Sequence, residues 1–407
     1  MSEAYPKLRP LDIRPFRQDG QSMLLLRDPL ELSDQLLGLP QPLAPLLGLC
    51  DGTRDLVGIH TALTVRWGVR ISRQTIVQLV EMLDEACLLD NERSAAAMRC
   101  ALSAYRDAPN RPPILAGGGY PADTEALTGF LDSFEDHDVS YELQQSSNSP
   151  VRGIVSPHID YARGGPVYRA VWNAAAEAAR TADLAIIFGT DHLGGPGSIT
   201  LTRQSYTTPY GLLPTAIDVV DAVANGLGEK AAFAEELHHR TEHSIELASV
   251  WLHHVRQGRG IEIAPILCGS FAHFVAGQAD PTHDPQIETA IAALLQVTEG
   301  RNILVVAAAD LAHVGPAFGG PPFDPPTRAE LRRTDEDLLN MLTGGDADGF
   351  FAALRSAGDR NNVCGLPPIY LALRFLGNTR GETIAYDQCP ADEADTSWVS
   401  VAGMVWR

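Results

Sequence analysis

The stretch Gly153–His192, GIVSPHIDYARGGPVYRAVWNAAAEAARTADLAIIFGTDH, decides how the chain folds. It opens on the short apolar run GIVS and passes through PVYRAVWNAAAEAAR, an alanine-rich segment of good helix propensity. It ends in LAIIFG, a continuous apolar run of the kind found in strands covered on both faces. Strand, single helix and strand make a βαβ unit, whose strands are expected to be parallel and close neighbours. His158 then stands just past the first strand and His192 just past the second. Both histidines emerge at the carboxyl edge of the sheet, where α/β proteins place ligand sites.

The pattern continues to the end of the chain. IEIAPILCG, NILVVAAAD and WVSVAGMVW read as further strands among helical segments, so the expected fold is α/β, a mostly parallel sheet flanked by helices. Asp310 and His313, in AAADLAHVG, follow NILVVAAA at the same edge as the two histidines. RTEHSIELASVWL places Glu242, His243 and Glu246 at a helix start, with Leu247, Val250 and Trp251 turned to the core. Glu242 either orients a neighbouring histidine or, like Glu246, is a solvated residue on a helix face. NNVCGLPPIYLALRF puts Cys364 ahead of an apolar helix, where the helix dipole favours thiolate and so a metal ligand or nucleophile. A buried inert thiol is the alternative for Cys364, and is the expectation for Cys268 and Cys389. His238, His239, His253 and His254 read as surface residues.

Residues 1–95 read differently, as a small helical module. Thr53 and Ser72 are the expected helix caps, Leu56, Ile59 and Leu63 share one face, and Leu88 and Leu89 begin a short strand. Helix, turn, helix and strand give a winged-helix-like outline. Residues 96–110 are the expected linker, and 111–407 the α/β domain. A second polar stretch, QQSSNSP, precedes the GIVS strand.

The 407 residues carry 45% hydrophobic and 20% charged residues, an ordinary composition for a globular chain with a large core. The net charge of −20 argues against nucleic acid and anionic membrane as partners, since both need dense positive charge. No apolar run is long enough to span a bilayer, and the N-terminus lacks the pattern of a secretory signal. Six scattered cysteines without a C-x-x-C pair fit a reducing cytoplasm.

SPHIDY, GTDH, TEHSIEL, ADLAHVG and NNVCGLPPI, in that order, resemble the Memo family, including the B proteins of AmmeMemoRadiSam systems. RPPILAGGGYPADTEALTGFL is similar to the family's opening segment, so the resemblance runs from about Arg111 to the C-terminus. It implies a fold related to class III extradiol dioxygenases, which are non-heme iron enzymes. It also implies one metal ion held by His158, His192 and Cys364, with His243, Asp310 and His313 lining the pocket as catalytic groups. Where those dioxygenases complete the triad with glutamate, a cysteine stands here. A soft thiolate shifts metal preference toward copper or zinc and alters the redox behaviour of iron. Asp160 and Asp191 are the expected orienters of the two histidines. The expected activity is an iron- or copper-dependent oxidoreductase acting on a small molecule or peptide. A zinc hydrolase and a non-catalytic metal-binding protein are the alternatives. LCDGTRDLVGI and LVEMLDEACLL resemble PqqD-like peptide-binding domains, which implies a peptide or radical-SAM partner for the N-terminal module; a packing or dimerisation role is the alternative.

Overall fold

The computed structural model describes residues 5–134 and 149–407, and the chain divides into two compact units, Met1–Ala108 and Pro109–Arg407. Most of the polar stretch QQSSNSP lies outside the described residues.

The first unit starts with an antiparallel sheet, β1 (Asp12–Gln18), β2 (Gln21–Arg27) and β3 (Leu37–Pro40), in the order β1-β2-β3. These strands precede the helices, whereas the expected helix, turn, helix and strand outline has its strand after them. Helices Leu56–Trp67 and Arg73–Glu85 follow, and Ile59, Leu63, Ile76, Val80 and Leu83 meet Leu26, Leu39 and Leu46 in one core. Ser72 caps the second helix as expected, its hydroxyl accepting from the Thr75 N–H. The first helix is capped by Asp55, which accepts from Gly58 N at 2.7 Å, because Thr53 is engaged with Asp51. Leu89 forms one bridge, to Leu8, and no strand. The expected linker is largely helix, Glu92–Asp107, closed at its start by a reciprocal capping box between Asn91 and Ser94.

In the second unit the main sheet is built from β4 (Gly153–Ser156), β5 (Leu184–Thr190), β6 (Ile199–Leu201), β9 (Glu262–Cys268), β10 (Ile303–Ala308), β11 (His313–Val314), β12 (Gly381–Pro390) and β13 (Trp398–Trp406). A separate hairpin joins β7 (Tyr206–Thr208) to β8 (Gly211–Leu213). The order is β11-β13-β4-β10-β5-β9-β6, with β12 beside β13. The four central strands are parallel, and antiparallel strands close both edges. β4 and β5 are parallel as expected, but β10 lies between them. The insertion carries Asp310 to a position between the two histidines.

Successive side chains alternate between two cores, as the strand repeat of two requires. Leu184, Ile186, Phe188, Val305 and Ala307 face one core with the helix Leu366–Leu376. Ala185, Ile187, Leu304 and Val306 face the other, with helices Tyr161–Ala174 and Ser244–Val255. No helix among the described residues is long and apolar enough to cross a membrane.

The opening of this unit is fixed by a buried ion pair. Arg111 bonds to Glu246 with both side chains almost wholly buried, and Glu246 also accepts from Ile114 N, Leu115 N and the Tyr120 hydroxyl. Glu246 is therefore no solvated residue. Replacing it with glutamine removes one charge of a buried ion pair, and Glu246→Gln is expected to lower stability by about 3–5 kcal/mol in urea unfolding.

Candidate metal centre

The centre grows from the carboxyl ends of β4, β10 and β5. His158 sits two residues past β4, its N–H donating to Asp310 Oδ1 at 2.8 Å. Its ring Nδ1 lies 3.2 Å from the Ala308 carbonyl oxygen. A carbonyl only accepts, so Nδ1 carries the hydrogen and Nε2 is the atom offered to a ligand. His158 is buried, with Asp310 Oδ2 4.0 Å from Nε2.

His192 follows β5 and is governed by Glu242. The Glu242 Oε2 accepts from His192 N at 3.1 Å and from its Nδ1 at 2.9 Å. The other carboxylate oxygen accepts from the N–H groups of His243 and Ser244 and lies 3.1 Å from His243 Nδ1. One carboxylate therefore fixes two imidazoles and closes the start of the helix Ser244–Val255. The close approach of that helix depends on Gly189 in β5, where a Cβ would stand 2.6 Å from both Ser244 Oγ and Ile245 Cγ1. The His192 and His243 rings stack at 5.1 Å, and each lies within 5.6 Å of the His158 ring.

Cys364 arrives from a distant loop. Gly365 N donates to the Asp310 carbonyl at 3.1 Å, and a Cβ at Gly365 would collide with that same oxygen. Thr190 Oγ1 donates to the Cys364 carbonyl at 3.3 Å. The sulfur then lies 3.5 Å from His158 Nε2. Burial alone would raise the Cys364 thiol, but the His313 and His158 imidazoles hold it well below the usual thiol range. Burial works against charge on His158, yet Asp310 and Cys364 raise it to about 9. His192 is also raised, burial being outweighed by Glu242 and Cys364. His313 is raised against burial by Cys364 and Asp310.

Ligand atoms of His158, His192 and Cys364 all lie within 4.8 Å of one another. Donors 2.0–2.3 Å from a tetrahedral ion stand roughly 3.6 Å apart, close to the 3.5 Å between His158 Nε2 and Cys364 Sγ. With both Nδ1 atoms engaged elsewhere and the thiol held as thiolate, the three side chains fit one soft or borderline cation. The exposures show where such an ion would face outward: the side chains of His192 and His243 are 39% and 37% exposed, that of His158 only 2%. On another side, His313 lines a cavity of about 490 Å³ with Phe318, Phe323, Thr334, Arg360 and Asn361.

Two expected orienters act elsewhere. Asp160 caps the helix Tyr161–Ala174, accepting from Arg163 N and pairing with the Arg163 side chain, because it stands at the first residue before that helix. Asp191 turns away from His192 to accept from His238 Nδ1 at 2.9 Å. Asp310 and Glu242 hold the two histidines instead. His239 was read as a surface residue but is fully buried, with Tyr206 on Nδ1 and the Thr200 carbonyl on Nε2. His253 is likewise buried against Thr208. Asp191, Glu235 and His238 form a group of possible ligands that the sequence reading missed. Cys268 and Cys389 are buried; burial pushes both thiols up, Cys389 to about 12.

A family model described as Memo-like protein matches residues 111–405. The chain belongs to the Memo family. It is 26% identical to a MEMO1 family protein of Aquifex aeolicus over 98% of this chain and 99% of that one. A MEMO1 family protein of Thermus thermophilus is 27% identical over 82% of this chain and 93% of its own length. A third, from Nitrosopumilus maritimus, is 25% identical over 98% of its own length but only 72% of this chain. The Memo match thus covers every residue of the candidate centre, and over a quarter of this chain lies outside the match to the shorter relative.

Glu242→Gln keeps the shape of the side chain but removes the charge that holds two imidazoles. Its expected effect is a 10–100-fold, order-of-magnitude loss of metal affinity, read by titration with a chelator as competitor.

Proposed function

We propose that this Memo-family protein is a metal-dependent oxidoreductase working in the cytoplasm with one redox-active ion, iron or copper, held by His158, His192 and Cys364. The observation that carries the reading is the meeting of a thiolate and two Nε2-presenting imidazoles at one rim, with His243 and His313 left beside them. The fold resemblance to class III extradiol dioxygenases supports redox chemistry, and the thiolate in place of glutamate favours a softer ion. A bound ion supplies Lewis acidity and one-electron chemistry at its open positions.

The chain's own groups supply the rest. His243, tethered through Nδ1 to Glu242, presents Nε2 as a proton donor or acceptor beside His192. His313, held edge-on by Phe318 at 5.0 Å, is the corresponding group toward the cavity, which has room for a small molecule or the end of a peptide. Asp310 keeps His158 in place through its backbone N–H. The first unit, in this reading, is winged-helix-like and engages a peptide or a radical-SAM protein.

The test is metal quantification with electron paramagnetic resonance on protein purified without added metal, beside Cys364→Ser. Iron or copper near one equivalent, with a signal altered by the substitution, is the expected result. Full occupancy by zinc would favour hydrolysis instead, since two histidines and a cysteine are also a catalytic zinc set. Unchanged metal content and spectrum in Cys364→Ser would remove the cysteine from the ligand set.

A pH dependence follows from His158. Its Nε2 proton must leave before a cation binds, so affinity is expected to climb from pH 7 and level off near 9. His158 alone gives a slope of roughly tenfold per pH unit, and the proton displaced from the raised His192 steepens it, measured by metal titration across that range.

A further inference from the structure

Tyr161 begins a chain of aromatic rings three residues after His158. Its ring centroid lies 6.2 Å from Trp251 and 5.0 Å from Tyr168, and Tyr168 stacks on Trp251 at 6.0 Å. Trp251 meets His254 at 5.4 Å, and His254 meets Tyr210 at 5.9 Å. The inner three rings are buried; the far end reaches Asp132, whose side chain is 60% exposed.

Hydrogen bonding separates Tyr210 from the rest. The Tyr210 hydroxyl lies 3.0 Å from His254 Nδ1 and 3.1 Å from Thr128 Oγ1, and His254 Nε2 lies 3.1 Å from Asp132 Oδ1. The carboxylate fixes the tautomer: Nε2–H donates to Asp132, so Nδ1 of the neutral ring accepts from Tyr210. Burial lowers the pKa of His254 despite Asp132 alongside, which leaves the ring free to take a proton. An oxidised phenol is stable only once its proton has somewhere to go. Tyr161 and Tyr168 donate to the carbonyls of Leu247 and Ile159, which are not bases. Trp251 Nε1 is buried with no hydrogen-bond partner. Tyr120, 5.5 Å from Tyr161, donates to Glu246, a carboxylate already neutralised by Arg111.

We propose that Tyr210, His254 and Asp132 form a redox-active tyrosine site. It is the outlet for oxidising equivalents that leave the metal side through Tyr161 and Trp251. This rests on the redox reading of the centre. In the step, Tyr210 gives up one electron, which passes by way of the intervening rings to a metal ion that peroxide has oxidised and lowers its oxidation state by one. The phenolic proton moves to His254 Nδ1, and Asp132 balances the imidazolium. The products are a neutral tyrosyl radical, a protonated histidine and the reduced ion. A surface reductant can then restore Tyr210. The device would protect the ligands Cys364, His158 and His192 from uncoupled oxidation.

The experiment has two arms, both read by electron paramagnetic resonance. First, full-length metal-free protein in a Tyr5→Phe, Tyr141→Phe background, which reduces competing phenols, is oxidised by photogenerated tris(bipyridine)ruthenium(III). A tyrosyl signal is expected that Tyr210→Phe abolishes and His254→Gln, which keeps a polar group but cannot take a proton, forms ~10²-fold more slowly. No tyrosyl signal, or one unchanged by Tyr210→Phe in a variant of native circular dichroism, overturns the site. Imidazole added to His254→Gly should restore the yield, which a merely structural role would not. Second, ferrous-loaded protein is treated with peroxide, and the iron signal shows whether the centre was oxidised. With the centre oxidised, the same Tyr210-dependent radical supports the pathway, and its absence overturns it. The first arm needs no metal, so failure of the tyrosine site and failure of the redox reading are separable.

Discussion

A single buried carboxylate, Glu242, ties together two imidazole-bearing segments of the candidate metal centre. A charge taken out of water has to be paired and hydrogen-bonded to be tolerated, and Glu242 meets that demand by accepting from both imidazole-bearing segments at once. Burial would raise its carboxyl, but His192 and His243 hold it well below the ordinary range. The same bonds satisfy N–H groups at the start of the helix Ser244–Val255, which are otherwise orphaned. Helix position, imidazole tautomer and site charge are thus one interaction, and none can shift without the others.

The fold and the convergence of His158, His192 and Cys364 were largely legible. β4, β5, β9, β10 and β13 fall on the apolar runs read as strands, because fully covered strands leave an uninterrupted apolar signature. His158 and His192 could be placed from strand ends alone. Cys364 owed its assignment to a helix-start position and to family resemblance together. What escaped is what depends on contacts far apart in sequence. That β10 sits between β4 and β5 is a pairing choice no local pattern encodes. Consequently Asp310, rather than the adjacent Asp160, became the anchor of His158.

Buried polar groups were the other blind spot. Glu246 and His239 look like surface residues because their types usually are. They are buried because Arg111, over a hundred positions away, supplies the countercharge to one and bonds to the other's carbonyl. The one available signal was the position of Glu246 itself, one turn after Glu242 on a helix whose other faces are apolar. In the first unit, β1 and β2 carry many exposed residues and little alternation, so their strands left a weak trace.

The electrostatics of the candidate site also explain how so many charged groups coexist at one rim. Cys364 as thiolate, Asp310 and Glu242 contribute three negative charges. His158 and His192, both raised, contribute two positive ones. Exchanging those two imidazole protons for a divalent cation leaves the net charge of the cluster where it was. A centre with glutamate in place of Cys364 would carry the same formal charge. A thiolate in such a set therefore changes which ion the set would prefer without changing its formal charge.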